Sequence, residues 1–375
     1  MLDRKLQTII ENYLIPNKVI LILGARRVGK TVLVKSIEKL FSGSVLFLNA
    51  EDSLSKEILE TRNITSYKRN LEGVDLLIVD EAQTIPYIGQ ILKLIVDEVE
   101  GIRIIATGSS AFDLLNKFGE PLTGRSFTFN LYPFSQEERM KKETRIEAKQ
   151  KLEERLIFGS YPEIDNYSKI KDKKLYLQNL VNTYLLKDIM ALDGLRGTSK
   201  IIDLLKLLSY QLGNEVSPYE LGKQLSMSKN TIEKYLNLLQ KVFVIFELKS
   251  FSKNLRKEVS KNKKWYFYDN GIRNAIISDF TAIEHRKDVG MLWENYMLSE
   301  RIKYNHYNQT DFNMFFWRTY DQQEIDLIEE KAGKLNAFEF KWSKSKSKIP
   351  VAWKNAYPES DFSIIDKSDY PDWIV

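Results

Sequence analysis

At 375 residues, with 43% hydrophobic and 29% charged residues, the chain has the length for two or three domains and an ordinary globular composition. Cysteine is absent, which excludes disulfides and thiolate metal sites, and two histidines, His285 and His306, argue against zinc and against a Ser–His–Asp hydrolase. A net charge of +5, from 56 basic against 51 acidic residues, is too slight to imply a nucleic-acid partner by itself.

The first stretch, "MLDRKLQTIIENYL", is charged and amphipathic and lacks the apolar core of a signal peptide. No apolar run approaches the roughly 18 residues of a membrane span, so a soluble, cytoplasmic protein without a membrane partner is expected.

"KVILILGARRVGKTVLVKSI" follows. A β run, Val19 to Leu23, enters "GARRVGKT", which fits G-x-x-x-x-G-K-[ST], and an apolar-periodic helix comes next. Gly24 and Gly29 let the backbone N–H groups of a loop that includes Arg27 turn inward on phosphate oxygens, with Val32 opening the helix behind it. Lys30 can reach the β- and γ-phosphates, and Thr31 offers a hydroxyl to Mg²⁺. The pattern predicts ATP and Mg²⁺ as ligands.

In "VDLLIVDEAQ" a buried strand delivers Asp80 to the water shell of that Mg²⁺, and Glu81 is placed to polarise an attacking water. A further β run, "GIRIIATGSS", ends in Thr107, Ser109 and Ser110. These either sense the γ-phosphate or form a hydroxyl-rich turn. Arg125 in "PLTGRSFTF" fits two readings, a charge sensor or arginine finger and an exposed structural arginine.

"GARRVGKT", "LLIVDEAQTIP", "IIATGSSAFDLL", "GRSFTFNLYPFSQEE" and the later "FGSYPE", in this order over nearly the whole chain, resemble the prokaryotic AAA-like ATPases related to the STAND class. The resemblance implies a parallel, doubly wound sheet with an additional strand between the two Walker strands, and hence a catalytic glutamate.

The charged segment from about 137 to 160 reads as solvated helix. After "FGSYPEI" a mostly helical stretch runs to Leu212, expected as a lid or linker. "SPYELGKQLSMSKNTIEKYLNLLQKVFVIFELKSF" has a helix–turn–helix layout in which Ile232, Tyr235, Leu236 and Leu239 share one face. The basic "KNLRKEVSKNKKWYFY" would complete a winged helix. It either reads DNA through Lys229, Asn230 and Lys234, with Glu233 opposing, or serves as a packing module, which the resemblance favours.

The helix "VGMLWENYMLSERIKY" offers Trp293, Met297 and Ile302 to a core, with Glu294 among them. "EIDLIEE" carries Asp326 and "NAFEFKW" carries Glu339 and Lys341, whose side chains leave the same strand face. Helix acid, strand Asp, then strand Glu-x-Lys is similar to the order of the restriction-endonuclease-like PD-(D/E)xK fold, with Ile325 where that pattern has Pro. Glu294, Asp326 and Glu339 could hold Mg²⁺ or Mn²⁺ and Lys341 could orient a water, or the fold is kept without cutting. The basic "KWSKSKSKIPVAWKN" suits a phosphate backbone or a solvated loop, and "DYPDWIV" is apolar enough to be tucked in.

The expected architecture is therefore α/β: a P-loop ATPase domain over 1–140, a helical lid or linker over 141–212, a winged helix over 213–270 and a small nuclease-like α/β domain over 271–375. Three functions fit it: an ATP-driven switch, an ATP-licensed DNA or RNA nuclease, and a non-cutting scaffold or regulator with a protein partner or as an oligomer.

Overall fold

A computed structural model describes residues 2–109, 122–185, 198–252, 263–344 and 348–374. Ser110, most of the expected wing (253–262) and part of the late basic stretch (345–347) lie outside the described residues. Two compact units divide the chain. The first holds the residues up to Pro133 together with Lys241–Phe243, and the second begins at Phe134.

The first unit is built on β1 (Lys18–Leu23), β2 (Val45–Asn49), β3 (Leu76–Asp80), β4 (Arg103–Gly108) and β5 (Ser126–Asn130). All pair in parallel in the order β2-β3-β4-β1-β5. Strand β4 thus lies between β1 and β3, where the resemblance placed an additional strand. A parallel sheet must be covered on both faces, which is why these strands read as continuous apolar runs. Val19, Leu21, Leu77, Val79 and Ile104 cluster on one face with Ile91, Leu92 and Ile95 of helix Ile88–Glu98. The alternating residues Ile20, Ile22, Ile78 and Ile105 are fully buried too. Each such side chain contributes roughly 1.5–3 kcal/mol of burial. Parallel registry brings the carboxyl ends of β1, β3 and β4 to one edge, where Gly24, Asp80 and Ser109 follow.

In the second unit the segment expected as solvated helix departs from that reading. It is three short helices, Gln136–Met140, Arg145–Gln150 and Leu152–Phe158. Two capping boxes, Ser135 with Glu138 and Thr144 with Glu147, start the first two and break the run. Its charges are also not all solvated. Arg155 is buried, pairs with Glu143, and donates to Gln136 Oε1 at 2.5 Å. A charge run can sit inside when each charge finds a partner there.

Helices Ile170–Asn179, Thr198–Tyr210, Pro218–Leu225 and Lys229–Lys241 follow. The last buries Ile232, Tyr235, Leu236 and Leu239, the stripe expected from spacing. Strands β6 (Glu215–Val216), β7 (Ile245–Ser250) and β8 (Lys263–Phe267) pair antiparallel in the order β6-β8-β7.

Helix Val289–Asn308 buries Trp293 and Met297, but Ile302 is only half-buried; the next residue, Lys303, is buried instead and pairs with Glu300 at 2.7 Å. Strands β9 (Asn313–Arg318), β10 (Glu324–Lys331) and β11 (Lys334–Lys341) form an antiparallel meander. Helix Val351–Ala356 leads to β12 (Asp361–Asp366), parallel to β11. Strand β7 pairs in parallel with β9, so one seven-stranded sheet, β12-β11-β10-β9-β7-β8-β6, runs through the described residues of this unit. The stretches expected as winged helix and nuclease-like domain share it. At the C-terminus Tyr370 and Ile374 are fully buried, as the apolar ending suggested.

Candidate functional site

The loop after β1 is closed by its own glycines. A Cβ on Gly24 would stand 2.2 Å from the Leu131 carbonyl oxygen, so no larger residue fits there. Gly29 has φ +98°, a left-handed conformation that glycine adopts at little cost, and Arg27 is also left-handed at φ +64°. Inside the loop the buried Lys30 amine donates to the Gly24 and Ala25 carbonyls at 2.9 and 3.0 Å. Val32 is 43% exposed at the start of helix Lys30–Leu40.

Thr31 Oγ1 donates to Asp80 Oδ2 at 2.7 Å, bringing the hydroxyl and the carboxylate of two separate motifs together. Thr107 donates to the other Asp80 oxygen and accepts from the Glu81 N–H at 3.1 Å. Glu81 is left-handed at φ +53°, and Gln83 Nε2 donates to Glu81 Oε2 at 2.5 Å. Two buried oxygens at this edge, Gln83 Oε1 and Ser109 Oγ, have no hydrogen-bond partner among the described residues. A hydroxyl, a carboxylate and an enclosed amine suit a phosphate-bound Mg²⁺, and the donor set fits that ion.

Sequence reasoning missed Arg4. Its buried guanidinium donates to the Val28 carbonyl at 2.7 Å and the Tyr132 carbonyl at 2.6 Å, tying the loop to the segment after β5. Those partners are far away in sequence, so no local pattern marks it. Arg125, by contrast, is not at the site. It precedes β5, beside the amino end of β1, and pairs with Asp97 at 2.6 Å. In a parallel sheet that is the edge opposite the loop, so of the two readings open for Arg125 this surface ion pair agrees with the exposed structural arginine.

In the second unit the predicted acids do converge. Asp326 Oδ2 accepts from the Phe340 N–H at 2.7 Å, Lys341 donates to Glu339 at 2.5 Å, and Tyr266 donates to Glu294 Oε1 at 2.5 Å. The missed member is Lys264 of β8. It is fully buried, lies 3.4 Å from Glu294, pairs with Glu324, and sits over the Phe316 ring at 5.3 Å. Burial, then the Glu294 and Glu339 charges, push the Asp326 carboxyl well above its ordinary range. Burial works against the Lys264 ammonium, yet the Glu294, Glu324 and Asp326 carboxylates hold its pKa above the ordinary lysine value. Among the described residues no group of three or more Asp, Glu or His side chains is arranged to hold a metal ion, and Glu294, Asp326 and Glu339 each accept from a neighbouring protein donor. On helix Lys229–Lys241, Lys229 pairs with Glu233 at 3.5 Å, while Asn230 and Lys234 are exposed.

Three family models match the chain. Residues 16–140 match an AAA domain, 149–282 a domain of unknown function (DUF8612), and 289–363 a second (DUF4143). An uncharacterized protein of Mycobacterium tuberculosis is 26% identical over 86% of this chain and 70% of its own length. One from Methanocaldococcus jannaschii is 26% identical over 78% and 68%. Among solved structures, a Walker-type ATPase of Pyrococcus abyssi aligns at TM-score 0.48 and 15% identity, covering 74% of this chain and 96% of that one. Residues 16–140, which match the AAA domain model, are the part of the chain that carries the parallel α/β sheet. Among the described residues no helix is long and apolar enough to cross a membrane.

Proposed function

We propose that the protein binds and hydrolyses ATP and acts as a nucleotide-driven switch. The observation that carries the reading is the 2.7 Å contact of Thr31 with Asp80 beside a loop that already encloses the Lys30 amine. Gly24, Arg27, Gly29 and Val32 shape the loop, Lys30 bears on the β- and γ-phosphates, and Ser109 faces the γ-phosphate end. Thr31 would hold Mg²⁺ and Asp80 its water shell; when bound, that ion offsets charge on the transferred phosphoryl group. Glu81 orients and deprotonates the attacking water.

The second unit is the module the switch acts through. Its helices and the β6-β8-β7 strands follow winged-helix order, and the helix, meander and β12 follow nuclease-like order. The Lys229–Glu233 pair removes part of the charge a DNA-reading face needs, which favours packing or a protein partner over nucleic acid.

Binding of a fluorescent ATP analogue and phosphate release, measured separately, test the proposal. Lys30→Ala is expected to lose binding, and Glu81→Gln to bind normally and lose turnover. Tight binding by Lys30→Ala would overturn the assignment.

A further inference from the structure

An acidic cluster that recruits a divalent ion must leave its carboxylate oxygens free to converge on one point. Around Asp326 one oxygen of each of three carboxylates is already engaged by a protein donor. One Asp326 oxygen accepts the Phe340 N–H, one Glu294 oxygen accepts both the Tyr266 hydroxyl and the Lys264 ammonium, and Lys341 holds Glu339. Lys264 arrives from β8, whereas Glu294 comes from helix Val289–Asn308 and Glu324 from the first residue of β10.

We infer that Lys264 is the resident cation of this cluster, and that it occupies by charge and position the role a divalent metal would otherwise take. An ammonium is a compact point charge on a flexible stem, able to donate to several carboxylates at once. At 1% side-chain exposure, against the Phe316 ring, it is removed from water and remains there because Glu294 and Glu324 compensate it. A dication beside it would meet like charge in a poorly screened interior. The cluster is a permanent internal ion network, and residues 324–341 hold the fold without assembling a metal-dependent cutting centre.

The test is Mn²⁺ binding to the nucleotide-free full chain, followed by electron paramagnetic resonance. Wild type and Asp326→Asn are expected to take up Mn²⁺ equally. Lys264→Met, which removes the cation and keeps the stem, is expected to gain one Mn²⁺ site that Lys264→Met/Asp326→Asn loses. A Mn²⁺ site in wild type that Asp326→Asn abolishes would overturn the inference, as would a folded Lys264→Met that gains none. Should Lys264→Met not fold, thermal melting of wild type and Asp326→Asn in Mn²⁺ and in EDTA decides. Equal shifts support the internal cation, and a Mn²⁺ stabilisation that only wild type shows refutes it.

Discussion

The side-chain amide of Gln83 donates to Glu81 Oε2 over 2.5 Å, while the Glu81 N–H is held by Thr107 at 3.1 Å. The residue proposed to activate water is therefore fixed at both ends, in a left-handed conformation that a non-glycine residue keeps only when its surroundings impose it. Gln83→Ala is expected to leave ATP affinity unchanged and lower kcat about tenfold, a part of the 10²–10⁴ that a positioned base supplies. Steady-state kinetics reads this split, and a matching loss of affinity would assign Gln83 to the loop's structure instead.

Arg4 predicts a different signature. Removing it leaves the Val28 and Tyr132 carbonyls without a charged donor, and such bonds are worth about 1.5–3 kcal/mol each. Arg4→Ala is expected to lower stability by about 3 kcal/mol or more and weaken nucleotide binding roughly tenfold, with partial recovery in Arg4→Lys. Titration calorimetry with ATP and denaturant unfolding check both numbers. Unchanged affinity in Arg4→Ala would show that the loop keeps its shape without the guanidinium.

Gly24 permits no side chain. With a backbone oxygen 2.2 Å from the new Cβ, Gly24→Ala must push apart the Leu131 N–H and Leu23 carbonyl, now 2.7 Å apart. The expected cost is about 1–3 kcal/mol, with nucleotide binding lost. Gly333→Ala, in open space on the hairpin between β10 and β11, is the control for strain alone, since φ is +83° there.

Acid should unfold the second unit through its buried ion pairs. Burial alone would raise the Glu143 carboxyl, but Arg155 outweighs it and holds the pKa below the ordinary 4.5. Arg286 and Arg273 do the same for Asp288, below the ordinary 3.8. Carboxylates depressed in the folded state contribute stability that is complete above their unfolded pKa and is lost as pH falls through the folded value. The contribution of these two carboxylates should therefore hold down to about pH 5 and decline below it. Asp288→Asn and Glu143→Gln should be less stable at pH 7 and decline less in acid. Parallel pH profiles for variant and wild type would contradict this.

What the sequence disclosed was chemistry confined to short contiguous stretches. Gly24 to Thr31 and Asp80–Glu81 could be read because strand, turn and helix preference all agree within a few residues. The stripe of Ile232, Tyr235, Leu236 and Leu239 was legible for the same reason. Arg4 and Lys264 were not, because their partners are supplied by distant strands and helices. Lys264 belongs to a basic run that reads as solvent-facing until Glu294 and Glu324 are seen around it. The two readings of Arg125 could not be separated because the choice depends on strand direction, which only the pairing of β5 with β1 fixes. The 137–160 run misled for a further reason: polarity forecasts exposure only when charges lack partners, and Arg155 has them.

The pairing of Lys249 and Ser250 with Phe315 and Phe316 joins two stretches that match different family models. One sheet is therefore shared by segments that match separate family models. A fragment cut between 282 and 289 would strip β7 of β9 on one side and leave unpaired N–H and C=O groups along that edge of each half. A fragment of the second unit meant to keep its sheet must therefore carry both sides of the β7–β9 seam.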